Sequence, residues 1–176
     1  MKLNYKLWNV ICTPTELKKS YDKHLFRSVI YFTTDYVVAT EGHMLVAIPA
    51  CKAFTVFDKK MYSEMIGHGV LYDTAKEIFK NDFKIENGSI ILSTGVICLF
   101  SDSSIFYPDW KRAIFNDSKK AIEKIAISAD YLKRICDAIN CTVPVLYFGA
   151  NNITIKPNGE LDSNIIAVLC PATISK

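Results

Sequence analysis

The side chains that could carry catalysis in this 176-residue chain are three histidines, six cysteines and a scatter of acids, and their spacing excludes the common sites. His24, His43 and His68 form no H-E-x-x-H pair, and no two cysteines stand at C-x-x-C spacing for zinc. A G-x-S-x-G elbow, a Walker loop and a dinucleotide glycine pattern are all missing from the sequence. The expectation is a protein with no metal, no cofactor and no enzymatic activity. Cys12, Cys51, Cys98, Cys136, Cys141 and Cys170 fall mostly inside apolar runs, without a secretory leader, and read as free thiols of a reducing cytoplasm. What the sequence does offer is binding chemistry. Gly42 permits a tight turn, His43 and Arg112 can donate to peptide oxygens, and Leu45, Pro108, Val168 and Pro171 supply apolar walls.

A second set of residues is basic and helical in its spacing: Lys18, Lys19 and Lys23, then Lys76 and Lys80, then Lys133 and Arg134. Such faces either contact phosphates without reading sequence or are ordinary solvated surface, diluted by Glu16, Asp22, Glu77 and Asp137. The formal charge of +3 is too small for a protein that coats nucleic acid, so any DNA contact must be local. Thr40–His43 likewise reads as a plain hairpin turn or as part of a pocket, and Pro108–Trp110 as a loop whose tryptophan anchors the core.

The elements that would position these residues are mostly strands. Short β-branched or aromatic runs are expected at 3–12, 28–33, 36–40, 44–48, 83–85, 89–92, 96–100, 145–148, 153–156 and 165–169. Asn87-Gly88, Thr94-Gly95, Asn151-Asn152 and Asn158-Gly159 supply turn chemistry, so the sheets should be antiparallel hairpins. Three helices stand between them: one after Thr13 with Leu17, Tyr21 and Leu25 inward, one capped by Asp73 with Ala75, Ile78 and Phe79 inward, and one capped by Ser128 with Leu132, Ile135 and Ile139 inward. Residues 57–66 suit a connecting helix ended by Gly67 and Gly69. The chain thus reads as three helix-plus-strands units of about 50–60 residues. No apolar run approaches the roughly 18 residues of a membrane helix.

Three segments resemble the bacterial DNA polymerase III β subunit, the sliding clamp: Val38-Ala39-Thr40-Glu41-Gly42-His43-Met44-Leu45, Tyr107-Pro108-Asp109-Trp110-Lys111-Arg112, and Ala167-Val168-Leu169-Cys170-Pro171. Their order is the family's, and the helix from Ser128 is similar to the family's last helix. The resemblance covers about Thr13 to Pro171 and implies a shortened relative: an α+β DNA-clamp fold, antiparallel sheets with helices on one face, comprising about one and a half clamp domains. Residues 1–115 would form a complete domain and 120–176 a half-sized unit, joined by the polar stretch 116–120. In the family the three segments build an apolar groove for clamp-binding peptides, which here implies Thr40, Gly42, His43, Leu45, Pro108, Arg112, Val168, Cys170 and Pro171. Met44 stands where the family has a basic residue, and Cys170 and Ala172 where it has methionines, so the groove's peptide preference should differ.

The function so implied is a non-enzymatic processivity factor of replication that tethers a polymerase, or another protein carrying a clamp-binding peptide, to duplex DNA. Lys18, Lys19, Lys23, Lys76, Lys80, Lys133 and Arg134 would face the duplex. The alternative is an adaptor or decoy that binds such peptides without encircling DNA. A half-sized unit exposes apolar surface and strand edges, which implies a homo-oligomer assembled through residues 120–176.

Overall fold

The computed structural model describes residues 1–19, 24–101, 107–114, 125–149, 152–158 and 164–172. It is an α+β protein with two antiparallel sheets. In chain order the elements are a 3-10 turn at Leu7–Asn9, α1 (Pro14–Lys19), a 3-10 turn at Leu25–Ser28, β1 (Val29–Phe32), β2 (Tyr36–Thr40) and β3 (Met44–Pro49). There follow α2 (Ala50–Ala53), α3 (Lys59–Ser63), β4 (Gly69–Leu71), α4 (Tyr72–Lys80), β5 (Phe83–Glu86), β6 (Ser89–Leu92) and β7 (Ile97–Leu99). A 3-10 turn at Trp110–Ala113, α5 (Ala129–Ala138), β8 (Pro144–Phe148), β9 (Ile153–Pro157) and β10 (Ile166–Leu169) complete it.

Each of β1-β2-β3, β5-β6-β7 and β8-β9-β10 is an up-and-down meander behind a helix, so the three-unit reading of the sequence matches the arrangement of elements. The first and third meanders share one seven-stranded sheet in the order β4-β1-β2-β3-β10-β9-β8, while β5-β6-β7 is separate. β10 pairs with β3 from Ile166↔Ala47 to Leu169↔Met44. The meander β8-β9-β10 therefore extends the sheet of the first, and α5 adds Ile135 and Ala138 to the same core as Leu7, Val46 and Ile78. The junction expected at 116–120 lies outside the described residues.

Alternation along the strands divides the large sheet into two faces. Ile30, Phe32, Val37, Ala39, Met44, Val46, Ile48, Ile153, Ile155, Ala167 and Leu169 point inward, where α4, α5 and the amino-terminal segment cover them. Val38, Leu45, Ala47 and Val168 point to the outer face and meet Trp110.

Local signals explain the ends of the helices. Thr13 and Glu16 form a capping box, with Thr13 N–H donating to Glu16 Oε2 (2.6 Å) and Glu16 N–H to Thr13 Oγ1 (3.2 Å). Ser128 Oγ accepts from Tyr131 N (3.3 Å), and at the other end Asn140, with φ 54°, lets Cys141 N–H reach Cys136 O (2.8 Å). Asp58 caps α3 by accepting from Met61 N. At the expected β-turn, Asn87 and Gly88 both have positive φ, 51° and 71°.

Four local expectations need correction. Residues 3–12 form a 3-10 turn and coil, with Leu3 only bridging Phe54; the buried residues Leu3, Leu7, Val10 and Ile11 follow a helical spacing, not a period of two. The first helix is described over Pro14–Lys19, and Leu25, expected inward on it, stands in the 3-10 turn Leu25–Ser28 and is 52% exposed; Tyr21 lies outside the described residues. Asp73 stands inside the first turn of α4, not at its cap. β4 went unanticipated because three residues are too few to show alternation.

Gly69 in β4 faces the flank of β1. A Cβ there would overlap Val29 Cγ1 and stand 2.9 Å from Ser101 Oγ and 3.2 Å from Ile30 O. Gly69→Ala should lower unfolding free energy by about 1–3 kcal/mol in urea titration, the usual cost of overpacking. An unchanged midpoint would show that β4 does not pack closely on β1.

Candidate functional site

The hairpin between β2 and β3 is organised by a buried carboxylate. Glu41, 3% exposed, accepts from His43 N (2.7 Å) and Met44 N (3.1 Å) through Oε1. Its Oε2 pairs with the Arg27 guanidinium (3.3 Å), which also donates to the Glu41 carbonyl. Oε2 further lies 3.3 Å from His43 Nδ1. A buried charge is tolerable when paired and hydrogen-bonded in this manner. Thr40 Oγ1 donates to Met44 O (2.7 Å) and accepts from Gly42 N (3.1 Å), and Gly42 takes φ 105°, a conformation that favours glycine. The turn is thereby held from both sides.

This hairpin meets the end of β10. Cys170 N–H donates to His43 O (2.8 Å), one step beyond the register pair Leu169↔Met44. Val168 stands opposite Leu45, and Trp110 covers both on the outer face. Tyr36 meets Trp110 edge-on at 5.3 Å. Tyr107 stacks on Tyr31 at 4.6 Å and 6°, with Phe26 edge-on to it at 6.2 Å. The Tyr107 hydroxyl is buried with no hydrogen-bond partner among the described residues, and burial, with Tyr31 beside it, pushes its pKa up. Asn152 Nδ2 donates to Ala113 O (2.8 Å), fastening the end of the 107–114 segment to the sheet.

The structure therefore brings together the three segments singled out in the sequence, but not with every side chain in the expected place. Thr40, Leu45 and Val168 are buried, the first in the turn and the others under Trp110. Gly42, His43 and Cys170 reach the surface, and Pro108 and Pro171 are half-buried. The Arg112 side chain is 88% exposed and pairs with Asp109 (3.4 Å). On the helical side of the same junction, His43 stacks on Tyr131 at 5.8 Å. Burial first, then Glu41, raises the Tyr131 hydroxyl and the Cys170 thiol above their ordinary values, so both stay protonated at neutral pH.

Sequence reading missed Glu41, Arg27, Tyr31 and Phe26. A signal for Glu41 existed, since an acid at the start of a Gly-containing turn can accept from the next amides. Arg27 and the aromatic pair offer no comparable local signal.

The basic residues fare unevenly. Lys18 and Lys19 are exposed on α1. Lys76 lies over the Tyr72 ring at 4.9 Å, Lys80 pairs with Glu77 (3.3 Å), and Lys133 pairs with Asp137. Arg134 turns inward: its guanidinium donates to Asn9 O and Ile11 O (3.1 Å for the latter) and pairs with Glu16 (3.6 Å), at only 20% exposure. It ties α5 to the amino-terminal segment and to α1. Lys23 lies outside the described residues. Among the described residues no group of histidines, cysteines and acids could hold a metal, and no helix is long and apolar enough to cross a membrane.

Compared with protein-family models the chain matches none, and no curated protein matches it in sequence.

Glu41→Gln keeps the shape but removes the charge that Arg27 and two amides address. Stability should fall by about 1.5–3 kcal/mol, the range for hydrogen bonds to charged groups, measured by urea unfolding. A change within error would mean the turn is held by Thr40 and Gly42 alone.

Proposed function

We propose that this protein is a sliding-clamp-like processivity factor, which holds a polymerase or another protein with a clamp-binding peptide on duplex DNA. The observation that carries the reading is the convergence of Thr40–Leu45, Tyr107–Arg112 and Val168–Pro171 at the β3–β10 junction, three segments remote in sequence that resemble those of the clamp family's groove in order and type. The arrangement of helix-plus-meander units, one-sided helices and continuous sheet also suits one and a half clamp domains.

The peptide would lie over the strip formed by His43, Cys170 and Pro171, with Pro108 and the Trp110 cover beside it. His43 supplies a ring nitrogen at the surface, and the remaining contacts are apolar or backbone, a mixture that suits a short amphipathic segment. The duplex would lie against the helical side, where the Arg134–Glu16 bridge sets α1 beside α5 and leaves Lys18, Lys19 and Lys133 at the surface. Contacts of this kind are sequence-blind and weaken with salt.

A second reading, an adaptor that binds clamp-interacting peptides and makes no ring, draws on one observation. Of the cations assigned to DNA, Arg134 is committed internally and Lys80 and Lys133 are paired with acids, which leaves a thin electrostatic footprint.

Retention on nicked circular duplex, assayed by gel filtration, separates the two. A clamp stays on circles and is lost when they are linearised, and Lys18→Glu with Lys19→Glu should remove retention while leaving the fold intact. A protein indifferent to DNA topology is an adaptor.

Peptide binding is tested at an exposed position. Cys170→Glu should weaken a labelled clamp-binding peptide by about tenfold or more in fluorescence anisotropy, equivalent to about 1.4 kcal/mol. Leu45→Asp is the poorer choice, because Leu45 is buried and a charge there would damage folding. Equal affinity of Cys170→Glu and the parent would place the peptide elsewhere.

A further inference from the structure

Two free thiols meet where α5 ends. Cys136 stands in the last turn of the helix and Cys141 just beyond it. Asn140, with φ 54°, sends the chain back on itself, and Cys141 N–H donates to Cys136 O (2.8 Å). A bond from the sixth residue to the first, with a left-handed residue before the donor, brings together the side chains of those two residues. An apolar pair usually fills the two positions. Here both are cysteines, half-buried and close enough for their thiols to share a hydrogen bond.

A backbone bond of this kind holds the two Cα atoms about 5–6 Å apart, inside the roughly 4.4–6.8 Å that disulfides span. The two thiols differ in access. Cys141 lines a cavity of about 210 Å³ with Asn140, Thr142, Val143, Pro157 and Asn158, none of which carries a charge. Cys136 is not among its walls, and burial, followed by Cys141 and Asp137 beside it, pushes the Cys136 thiol up.

We propose that Cys136 and Cys141 form a reversible dithiol–disulfide site, in which Cys141 attacks a low-molecular-weight disulfide from the cavity and Cys136 resolves the product. In the first step Cys141 gives its proton to water and its thiolate attacks one sulfur of the small disulfide. That S–S bond breaks, a mixed disulfide forms on Cys141, and the departing thiolate takes up a proton. In the second step Cys136 loses its proton and attacks Cys141 Sγ, expelling the other small thiolate, which is protonated in turn. Two protein thiols are oxidised by two electrons, and one small disulfide is reduced to two thiols. The second step is intramolecular, so a small thiolate fraction on Cys136 suffices, and a less acidic thiol is the stronger nucleophile once ionised. The new bond ties the last turn of α5 to the connection into β8, in the conformation that the backbone bond already holds. This inference does not rest on the clamp reading.

The test is oxidation of the full chain with oxidised glutathione, alkylation of the remaining thiols and mass spectrometry of the fragments. Cleavage on the amino side of aspartate separates the two cysteines, so their disulfide is read as residues 130–136 joined to residues 137–161. That joined pair should be the main product at these two positions and should disappear on adding dithiothreitol. Cys136→Ser should stop the reaction at the first step, with glutathione retained on Cys141, whereas Cys141→Ser should leave Cys136 unmodified over the same time. A readout without mutation is urea unfolding of the parent. The oxidised form should unfold at a higher midpoint than the reduced one, because the link restrains the unfolded chain and leaves the native turn as it was. Separate glutathione adducts on Cys136 and Cys141, a link from either to another cysteine, free thiols at both while Cys51 and Cys170 react, or a lowered midpoint would overturn the proposal.

Discussion

The antiparallel contact between β3 and β10 is the constraint on which the rest of the molecule depends. It makes β3 an interior strand with every residue buried, Met44, Val46 and Ile48 inward and Leu45 and Ala47 outward. Each large apolar side chain so covered is worth about 1.5–3 kcal/mol relative to exposure, and both strands would otherwise present open edges. Because the pairing joins residues more than a hundred positions apart, it also determines which surface residues become neighbours. Cys170 meets His43 only because Leu169 is in register with Met44.

The β2–β3 turn then sets the local geometry of that meeting point. A carboxylate with almost no solvent access is acceptable in Glu41 because Arg27 and two turn amides neutralise and bond it, and the same bonds aim the His43 carbonyl at β10. On the outer face Tyr107 and Trp110 form an aromatic cover over the sheet. The apolar walls of the candidate groove are thus partly used up as core. What remains for a ligand is a strip at the rim of that cover, not an open trough.

The helical side presents a different balance. Arg134 shows how a residue that looks presentable on a helical wheel can be drawn inward, since two backbone carbonyls of the amino-terminal segment and Glu16 offer it more than solvent does. Lys18 and Lys19, on α1, stay outside. A sparse basic surface of this kind gives little long-range attraction for an anionic partner.

Local patterning by itself determined much of this protein. Alternation and turn residues mark nine of the ten described strands, Asn87-Gly88 sets a hairpin, Ser128 starts a helix, and the absence of paired metal ligands or nucleophile motifs is plain in the chain. These features depend on neighbours within a few residues, where propensity and side-chain period suffice. The tertiary structure decided the rest: that Leu3–Ile11 threads the core without forming a strand, that Trp110 covers Leu45 and Val168, and that Arg134 faces inward. Those outcomes turn on which edges and faces meet across long separations, and that is settled by competition for burial among elements whose own sequences are equally compatible with several partners.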